Sequence, residues 1–303
     1  MDYLGDDLAP PPRFRVGVVG TGRAGSVLGA ALHRAGHRVV AAYAVSDLSR
    51  LRAEALLPET PLLALPDVVD SADLIMMTIP DDVLAEVVAG LVDTGHIRPG
   101  QLVAHASGRH GVDVLARATE AGALPLALHP VMTFTGTSVD LDRLSGCPFG
   151  VTAPLVLRPI AEALVVEMGG EPVWVAENDR ALYHAALAHG SNHLVTLVSQ
   201  SLELLDAAGV EDPARLIGPL LLATLDNALR LRDQALTGPV VRGDADTVAA
   251  HVRSIEEVSA ETARTYVELA RATADRALAA GSLRADVAVR LLDVLVRNTE
   301  DPK

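Results

Sequence analysis

Hydrophobic and polar residues follow two different patterns along the chain. In the first half, short runs rich in Val, Ile and Leu recur, and the first three are each followed by a segment with helical spacing of apolar residues. Strands that alternate with helices form a parallel sheet with right-handed crossovers. The predicted strands lie at residues 14–20, 37–45, 72–80, 100–108 and 124–130, and two strand-like pieces follow, PFGVTA and EPVWVA.

After about residue 177 the strand pattern stops and long helical patterns begin. One stretch ends at Gly209, the next has Pro213 in its first turn, and two or three more follow. We therefore predict a flexible tail over residues 1–12, an α/β domain over residues 13–177 and an all-helical domain over residues 178–298.

Composition and charge exclude several classes of protein. The net charge is −14, so a nucleic acid is not expected as a partner, because phosphate binding needs a basic face. No apolar run reaches the roughly 18 residues of a membrane helix. The opening MDYLGDDLAPPP lacks the apolar segment of a signal peptide. The single cysteine, Cys147, fits a reducing compartment and a buried apolar role. We expect a cytoplasmic protein without membrane partners.

A glycine motif connects the first strand to the first helix. Gly20, Gly22 and Gly25 have the G-x-G-x-x-G spacing in the strand–turn–helix context that a dinucleotide needs. The first glycine allows the tight turn, the second lets the backbone approach the pyrophosphate, and the third lets helix and strand pack closely. The sequence therefore predicts a Rossmann-type domain whose cofactor-binding loop consists of Gly20, Thr21, Gly22, Arg23, Ala24 and Gly25.

The residues after the second strand bear on the choice between NAD and NADP. An Asp or Glu at this place binds the ribose 2′-hydroxyl of NAD. Ser46, together with Arg50 or Arg52, suits a 2′-phosphate, whereas Asp47 is the competing residue for NAD. We predict NADP in preference to NAD.

The third strand ends in TIPDD. Chain at the carboxyl end of this strand is expected close to the cofactor, which makes Ile79 and Pro80 candidate cofactor-binding residues. Asp81 and Asp82 follow at the start of a helix, where we predict N-capping.

Histidine is the natural proton donor in this chain. Lys303 is the only lysine, so a mechanism that needs an internal lysine is excluded. His105 and His129 each end a predicted strand, and strand ends face the ligand crevice of a parallel sheet. Either residue is a candidate for chemistry or an ordinary structural histidine.

The segment LYHAALAHGSNHL, residues 182–194, carries polar groups on an apolar helix. At about 100° per residue, His184 and Ser191 share one face with Asn192 on its flank. These three residues are candidate catalytic groups, or else a buried polar cluster satisfied by its neighbours. His189 and His193 lie on the opposite side without a third ligand at metal-site spacing, so we predict a solvent or interface role and no metal site.

A third polar cluster occurs at LTGPVVRGD. Arg242 is a candidate for binding a substrate carboxylate through paired hydrogen bonds, or a plain surface arginine. Asp244 is predicted to cap the helix that follows.

Several of these motifs together resemble a known family. GTGRAG, IPDD, HASGRHG, ALHPVMTFTG, DRALYHAALAHGSNHLVTL and LTGPVVRGD are similar to the actinobacterial Rossmann-like and DUF2520 domain-containing proteins, within the 6-phosphogluconate dehydrogenase-like superfamily. That superfamily includes ketopantoate reductases, prephenate dehydrogenases and pyrroline-5-carboxylate reductases. The resemblance implies a Rossmann domain, a helical C-terminal domain and a nicotinamide cofactor, and some members look like an alternative ketopantoate reductase for pantothenate synthesis.

The resemblance also shows where this chain departs from its relatives. β-Hydroxyacid dehydrogenases and ordinary ketopantoate reductases use a helix lysine with an asparagine four residues later. Asn192 matches the asparagine, but Ala188 stands at the lysine position. The His129-Pro130 pair is similar in placement to a His-Pro of prephenate dehydrogenases.

These observations predict an NADP-dependent oxidoreductase that transfers hydride between NADPH and a small 2-oxo or hydroxy acid, with ketopantoate as the preferred guess. His184 or His129 would supply the proton, Asn192 and Ser191 would position the carbonyl, and Arg242 would hold the carboxylate. The alternatives are a non-catalytic dinucleotide-binding sensor or partner protein, and an imine reductase. The Leu- and Ala-rich helices also predict a homodimer formed through the helical domain.

Overall fold

A computed structural model describes residues 13–297 of the chain. The tail predicted over residues 1–12 lies outside the described residues. Every predicted strand forms, in the order β2-β1-β3-β4-β5-β6-β7 across one sheet. The strands are β1 Arg15–Val19, β2 Arg38–Tyr43, β3 Leu74–Met77, β4 Leu102–His105, β5 Leu124–Pro130, β6 Pro148–Thr152 and β7 Glu171–Trp174.

Helices connect these strands and cover the sheet. Buried Val, Leu and Ala side chains pack between the sheet and the helices in two large clusters, one around Val18 and Leu128 and one around Ile75 and Val103. The helices of this part are α1 Arg23–Arg34, α2 Asp47–Leu56, α3 Leu65–Ser71, α4 Asp81–Asp93, α5 Ala116–Glu120, α6 Val139–Arg143 and α7 Arg158–Glu167.

The predicted parallel sheet forms, and one strand pair in it runs antiparallel. Strands β1 to β5 pair in parallel, but β5 and β6 run antiparallel, with His129 opposite Gly150. A parallel crossover normally carries a helix long enough to return along the sheet. Between β5 and β6 the chain has only the five-residue α6, and the rest is an irregular loop. Strand β6 therefore returns in the opposite direction.

The parallel order of β1, β3, β4 and β5 places their carboxyl ends at one edge of the sheet. Met77 at the end of β3 is in register with His105 at the end of β4, and His105 is in register with Ala127 in β5. His129 follows two residues later in β5. The glycine turn after β1 opens at the same edge, where a ligand is expected in this class of sheet.

The described residues divide into two compact units between Ala188 and His189, inside the long helix α8. The second unit has its own core of buried Val, Ala and Leu side chains around Val252, Ala274 and Leu291. Its helices are the remainder of α8 Arg180–Ala207, then α9 Pro213–Leu231, α10 Pro239–Arg242, α11 Ala245–Val258, α12 Ala260–Ala279 and α13 Ala285–Arg297.

Helix α9 differs from the other long helices, because none of its 19 residues is buried. Leu220 and Leu229 are 64% and 75% exposed. Across residues 13–297, no helix is long and apolar enough to span a bilayer.

Candidate active site

The glycine turn has the backbone geometry that the motif requires. Gly20 has φ of +97°, and the N–H groups of Gly20 and Thr21 donate to the carbonyl of Tyr43 at the end of β2. A Cβ on Gly25 would overlap the carbonyl oxygen of Gly20 and the hydroxyl of Thr78. Side chains are therefore excluded at both positions, so that α1 packs directly on the strand.

The N-terminus of α1 is open to a ligand. Gly22 is its N-cap, no side chain caps this end, and no atom lies within 4 Å of where a Gly22 Cβ would be. The unpaired N–H groups and the positive end of the helix dipole attract a phosphate. Arg23 is exposed on the first turn and adds a positive charge. This geometry fits the pyrophosphate of a dinucleotide.

At the end of β2, Ser46 has a structural role. Its hydroxyl accepts a hydrogen bond from the N–H of Ser49 at 3.1 Å, and its own N–H donates to the Ser49 hydroxyl at 3.0 Å. This capping box starts α2 and leaves Ser46 exposed beside the glycine turn. Arg50 on the same helix is exposed, whereas Arg52 is half-buried.

The turn after β3 contains Ile79 and Pro80. Ile79 is half-buried, and Pro80 is the exposed N-cap residue of α4. The prediction that Asp81 and Asp82 cap this helix is wrong, since no side chain makes a capping bond there. Both carboxylates lie in the first turn instead, where their negative charges interact favourably with the positive end of the helix dipole.

His105 is a structural residue. It is fully buried, its Nε2 hydrogen-bonds the carbonyl of Gly111 at 2.8 Å, and its Nδ1 accepts from the N–H of Ser107 at 3.2 Å. Both ring nitrogens are satisfied only in the neutral tautomer with the proton on Nε2. Burial accordingly lowers the pKa of His105 to about 4.

His129 lies at the centre of a cluster of three rings. Its Nδ1 is 2.8 Å from the hydroxyl of Tyr183, and its ring centroid is 6.3 Å from that of His184, with both neighbouring rings nearly perpendicular to it. A Cβ on Gly108 would be 2.8 Å from His129 Nε2 and 2.7 Å from His184 Cδ2. The glycine therefore provides the space in which the two imidazoles approach one another.

Arg180, the first residue of α8, anchors this helix to the sheet. Its guanidinium donates to the hydroxyl of Thr152 at 2.7 Å and to the carbonyls of Gly150 at 3.0 Å and Ala127 at 3.3 Å. It is 2% exposed, and no carboxylate of the described chain pairs with it. Its Nη1 is buried without a hydrogen-bond partner among the described residues. A buried positive charge that no carboxylate neutralises is costly, and it repels any further positive charge nearby.

The electrostatics of this cluster keep His129 neutral. Burial first, and then the charges of Arg180 and His184, lower the pKa of His129 to about 4, although Asp81 opposes the shift. A neutral imidazole has one donor and one acceptor nitrogen. With Nδ1 paired to the Tyr183 hydroxyl, Nε2 is the nitrogen that faces the space beside Gly108.

The remaining candidate residues lie in the second unit. Ser191, Asn192 and Arg242 are all exposed. His189 and His193 are exposed with their Nδ1 atoms 3.0 Å apart, and within residues 13–297 no group of three or more His, Cys, Asp or Glu forms a metal site. Asp244 caps α11 as predicted, since it accepts from the N–H of Thr247 at 3.1 Å.

Three residues of the first unit were not singled out from the sequence. Tyr183, Arg180 and Gly108 were given no predicted role of their own. A sequence signal existed for Tyr183 and Arg180, because both stand within one turn of His184 on the same predicted helix.

Comparisons with known proteins agree with this architecture. A model of the Rossmann-like domain matches residues 4–130, and a model of DUF2520, a domain of unknown function, matches residues 147–273. No curated protein matches the chain.

Solved structures share the fold at low sequence identity. A protein from Bacteroides fragilis, provisionally named an NADP oxidoreductase, is 22% identical with a TM-score of 0.74, covering 87% of this chain and 98% of its own. An imine reductase from Myxococcus stipitatus in complex with NADP⁺ is 18% identical with a TM-score of 0.65, covering 92% and 99%. A reductive aminase from Aspergillus terreus in complex with NADPH and ethyl levulinate is 15% identical with a TM-score of 0.56, covering 96% and 95%.

The two domain matches are consecutive along the chain, and the sheet, glycine turn and helical second unit follow the same order. The chain therefore combines a Rossmann-like domain with a DUF2520 domain.

Proposed function

We propose that this protein is an NADP-dependent oxidoreductase that reduces a C=N or C=O bond of a small molecule. The observation that carries the proposal is the cluster of His129, Tyr183 and His184, at the same sheet edge as an open glycine turn. A dinucleotide site and a group of proton-exchanging side chains at one edge are what hydride transfer needs.

The cofactor fits the residues at the glycine turn. Gly22 leaves the N-terminus of α1 open for the pyrophosphate beside Arg23, and Arg50 and Arg52 supply positive charge for a 2′-phosphate. NADPH, when bound, supplies the hydride. The protein must then orient the substrate, exclude water and provide a proton.

The ring cluster divides this work between its members. Tyr183 holds His129 in one orientation through their hydrogen bond, and His129, neutral at pH 7, is a hydrogen-bond donor or acceptor for the substrate heteroatom. His184 is half-buried and has no hydrogen-bond partner among the described residues, so its ring nitrogens are available to a substrate atom. We therefore assign the proton donor to His184 and the positioning role to the Tyr183–His129 pair.

The likeness to imine reductases and reductive aminases favours a C=N substrate as the first to test. A ketopantoate-like 2-oxo acid, which the family resemblance implies, is the second candidate. Arg242, its expected carboxylate partner, is exposed in the second unit.

The test is consumption of NADPH with a panel of cyclic imines, carbonyl–amine pairs and 2-oxo acids. Turnover with one class assigns the substrate. Tight binding of NADPH without turnover on any class would favour a sensor, and absence of NADPH binding would end the proposal.

A matched pair of tyrosine variants locates the site. Tyr183→Phe removes the hydroxyl bonded to His129, and Tyr266→Phe removes a hydroxyl 2.9 Å from Nδ1 of His251 in the second unit. Each loses one hydrogen bond, worth about 1 kcal/mol of stability. We expect only Tyr183→Phe to lower kcat, by about 100-fold, with NADPH affinity unchanged. Equal kcat in both variants would remove the site assignment.

We also infer that the protein is a homodimer formed through α9. An isolated helix of this length is marginal in water, and most helical stability comes from packing of an apolar face. Helix α9 is apolar on several sides and has no buried residue within its own chain. A second copy supplies the same apolar surface reciprocally, as two-fold symmetry requires.

A further inference from the structure

The loop over residues 131–138, which follows β5, is hydrogen-bonded to the buried carboxylate of Asp140. Asp140 is fully buried and accepts hydrogen bonds from the N–H groups of Thr135 at 2.7 Å and Gly136 at 2.8 Å, and from the Thr135 hydroxyl at 3.0 Å. Burial alone would raise the pKa of Asp140, but these bonds outweigh it and lower the pKa, so the group is ionised at neutral pH. The centre of the loop is therefore fixed in position.

Gly136 brings this loop against the cofactor-binding helices. It has φ of +80°, and a Cβ there would be 2.8 Å from Nε of Arg52 and 3.1 Å from Cα of Arg23. A side chain at this position would therefore displace Arg52. Gly136 therefore leaves the space in which the Arg52 side chain lies beside Arg23, the first residue of α1.

The guanidinium of Arg52 has no counter-ion in this position. Within residues 13–297, neither Arg52 nor Arg23 makes an ion pair or a side-chain hydrogen bond. Arg52 is half-buried, whereas Arg50, about 200° away around α2, is exposed. A partly desolvated guanidinium without a counter-ion attracts a phosphate strongly.

We propose that the 131–138 loop is part of the cofactor site. Gly136 leaves the space from which Arg52 binds the 2′-phosphate of NADP, and Asp140 positions the loop. The inference rests on the proposed cofactor. Ser46 is a weaker candidate for this contact, because its hydroxyl already accepts the capping bond of α2. The structure thus makes discrimination against NAD depend on a carboxylate almost 90 residues from Arg52 in sequence.

The experiment measures the Kd of NADPH, NADH and adenosine 2′,5′-bisphosphate for two variants and two controls. Arg52→Gln and Asp140→Asn test the proposal. Arg38→Gln, at the opposite end of β2, and Asp142→Asn, exposed on the same helix as Asp140, remove the same charges elsewhere.

We expect Arg52→Gln to weaken NADPH and the bisphosphate about 10- to 100-fold, the usual effect of losing a hydrogen bond between charged groups. NADH affinity should change less than about twofold. Asp140→Asn should weaken NADPH about 10-fold by loosening the loop, again with little effect on NADH. Both controls should bind like the wild type.

Equal loss of NADPH and NADH affinity in Arg52→Gln would place Arg52 at the pyrophosphate and overturn the proposal. No loss in Arg52→Gln would also overturn it, and an unchanged Asp140→Asn would remove the positioning role of the loop. If the wild type binds neither nucleotide, the proposed function fails as well. If the wild type binds both and the variants do not discriminate, only the inference about this loop fails.

Discussion

The variant His105→Gln should be less stable than the wild type at neutral pH and more stable than the wild type in acid. Wild-type His105 is neutral in the fold, with a pKa of about 4 against an ordinary value of 6.5. Between pH 6.5 and about pH 4, the His105 side chain is therefore protonated in the unfolded chain and neutral in the folded chain. The stabilisation is complete above pH 6.5 and is lost as the pH falls towards 4.

The size of the effect follows from the shift. At about 1.4 kcal/mol per pKa unit, the full loss is about 3 kcal/mol, and about 2 kcal/mol is lost by about pH 5. The glutamine amide keeps a donor for the carbonyl of Gly111 but leaves the N–H of Ser107 without its acceptor. The variant should therefore be about 1 kcal/mol less stable than the wild type at pH 7 and about 1 kcal/mol more stable at about pH 5.

Urea unfolding of both proteins at a series of pH values measures this difference. Other acid-sensitive groups, including His129 and Asp140, are present in both proteins and cancel in the subtraction. A constant difference between the two free energies of unfolding across this range would show that His105 is not a buried neutral imidazole, and the account of this strand end would have to be abandoned.

Gly108→Ala should separate the imidazoles of His129 and His184 and lower turnover about 100-fold. Gly190→Ala, where open space surrounds the Cβ position, should instead raise the free energy of unfolding by about 1 kcal/mol. Equal turnover in both variants would contradict the geometry of the ring cluster. His184→Ala should lower kcat/KM by about 100- to 10,000-fold while NADPH affinity is kept, and His189→Ala should change neither; a His184→Ala variant that is destabilised but has normal turnover per folded molecule would show a structural role. Light scattering should give twice the chain mass of 31.7 kDa, and a monomer at micromolar concentration would refute the dimer through α9.

Features set by local geometry were predictable from the sequence alone. The glycine turn follows from its motif, because the backbone of Gly20 and the close contacts of Gly25 admit no side chain, while Gly22 leaves the helix N-terminus open. Helix α8 and the cap at Asp244 are similarly local, since a cap bonds to an N–H only three residues away. The strands were predictable because buried parallel strands are nearly continuous apolar runs.

Only the tertiary structure decided which polar residues meet. His129 and Tyr183 are 54 residues apart in the chain, and Arg52 and Gly136 are separated by 84. His105 and His129 looked equivalent as strand ends, yet the first is sealed in the interior by Gly111 and the second faces a space left by Gly108. A histidine's chemistry depends on its burial and its partners, and the long-range packing of the sheet determines both.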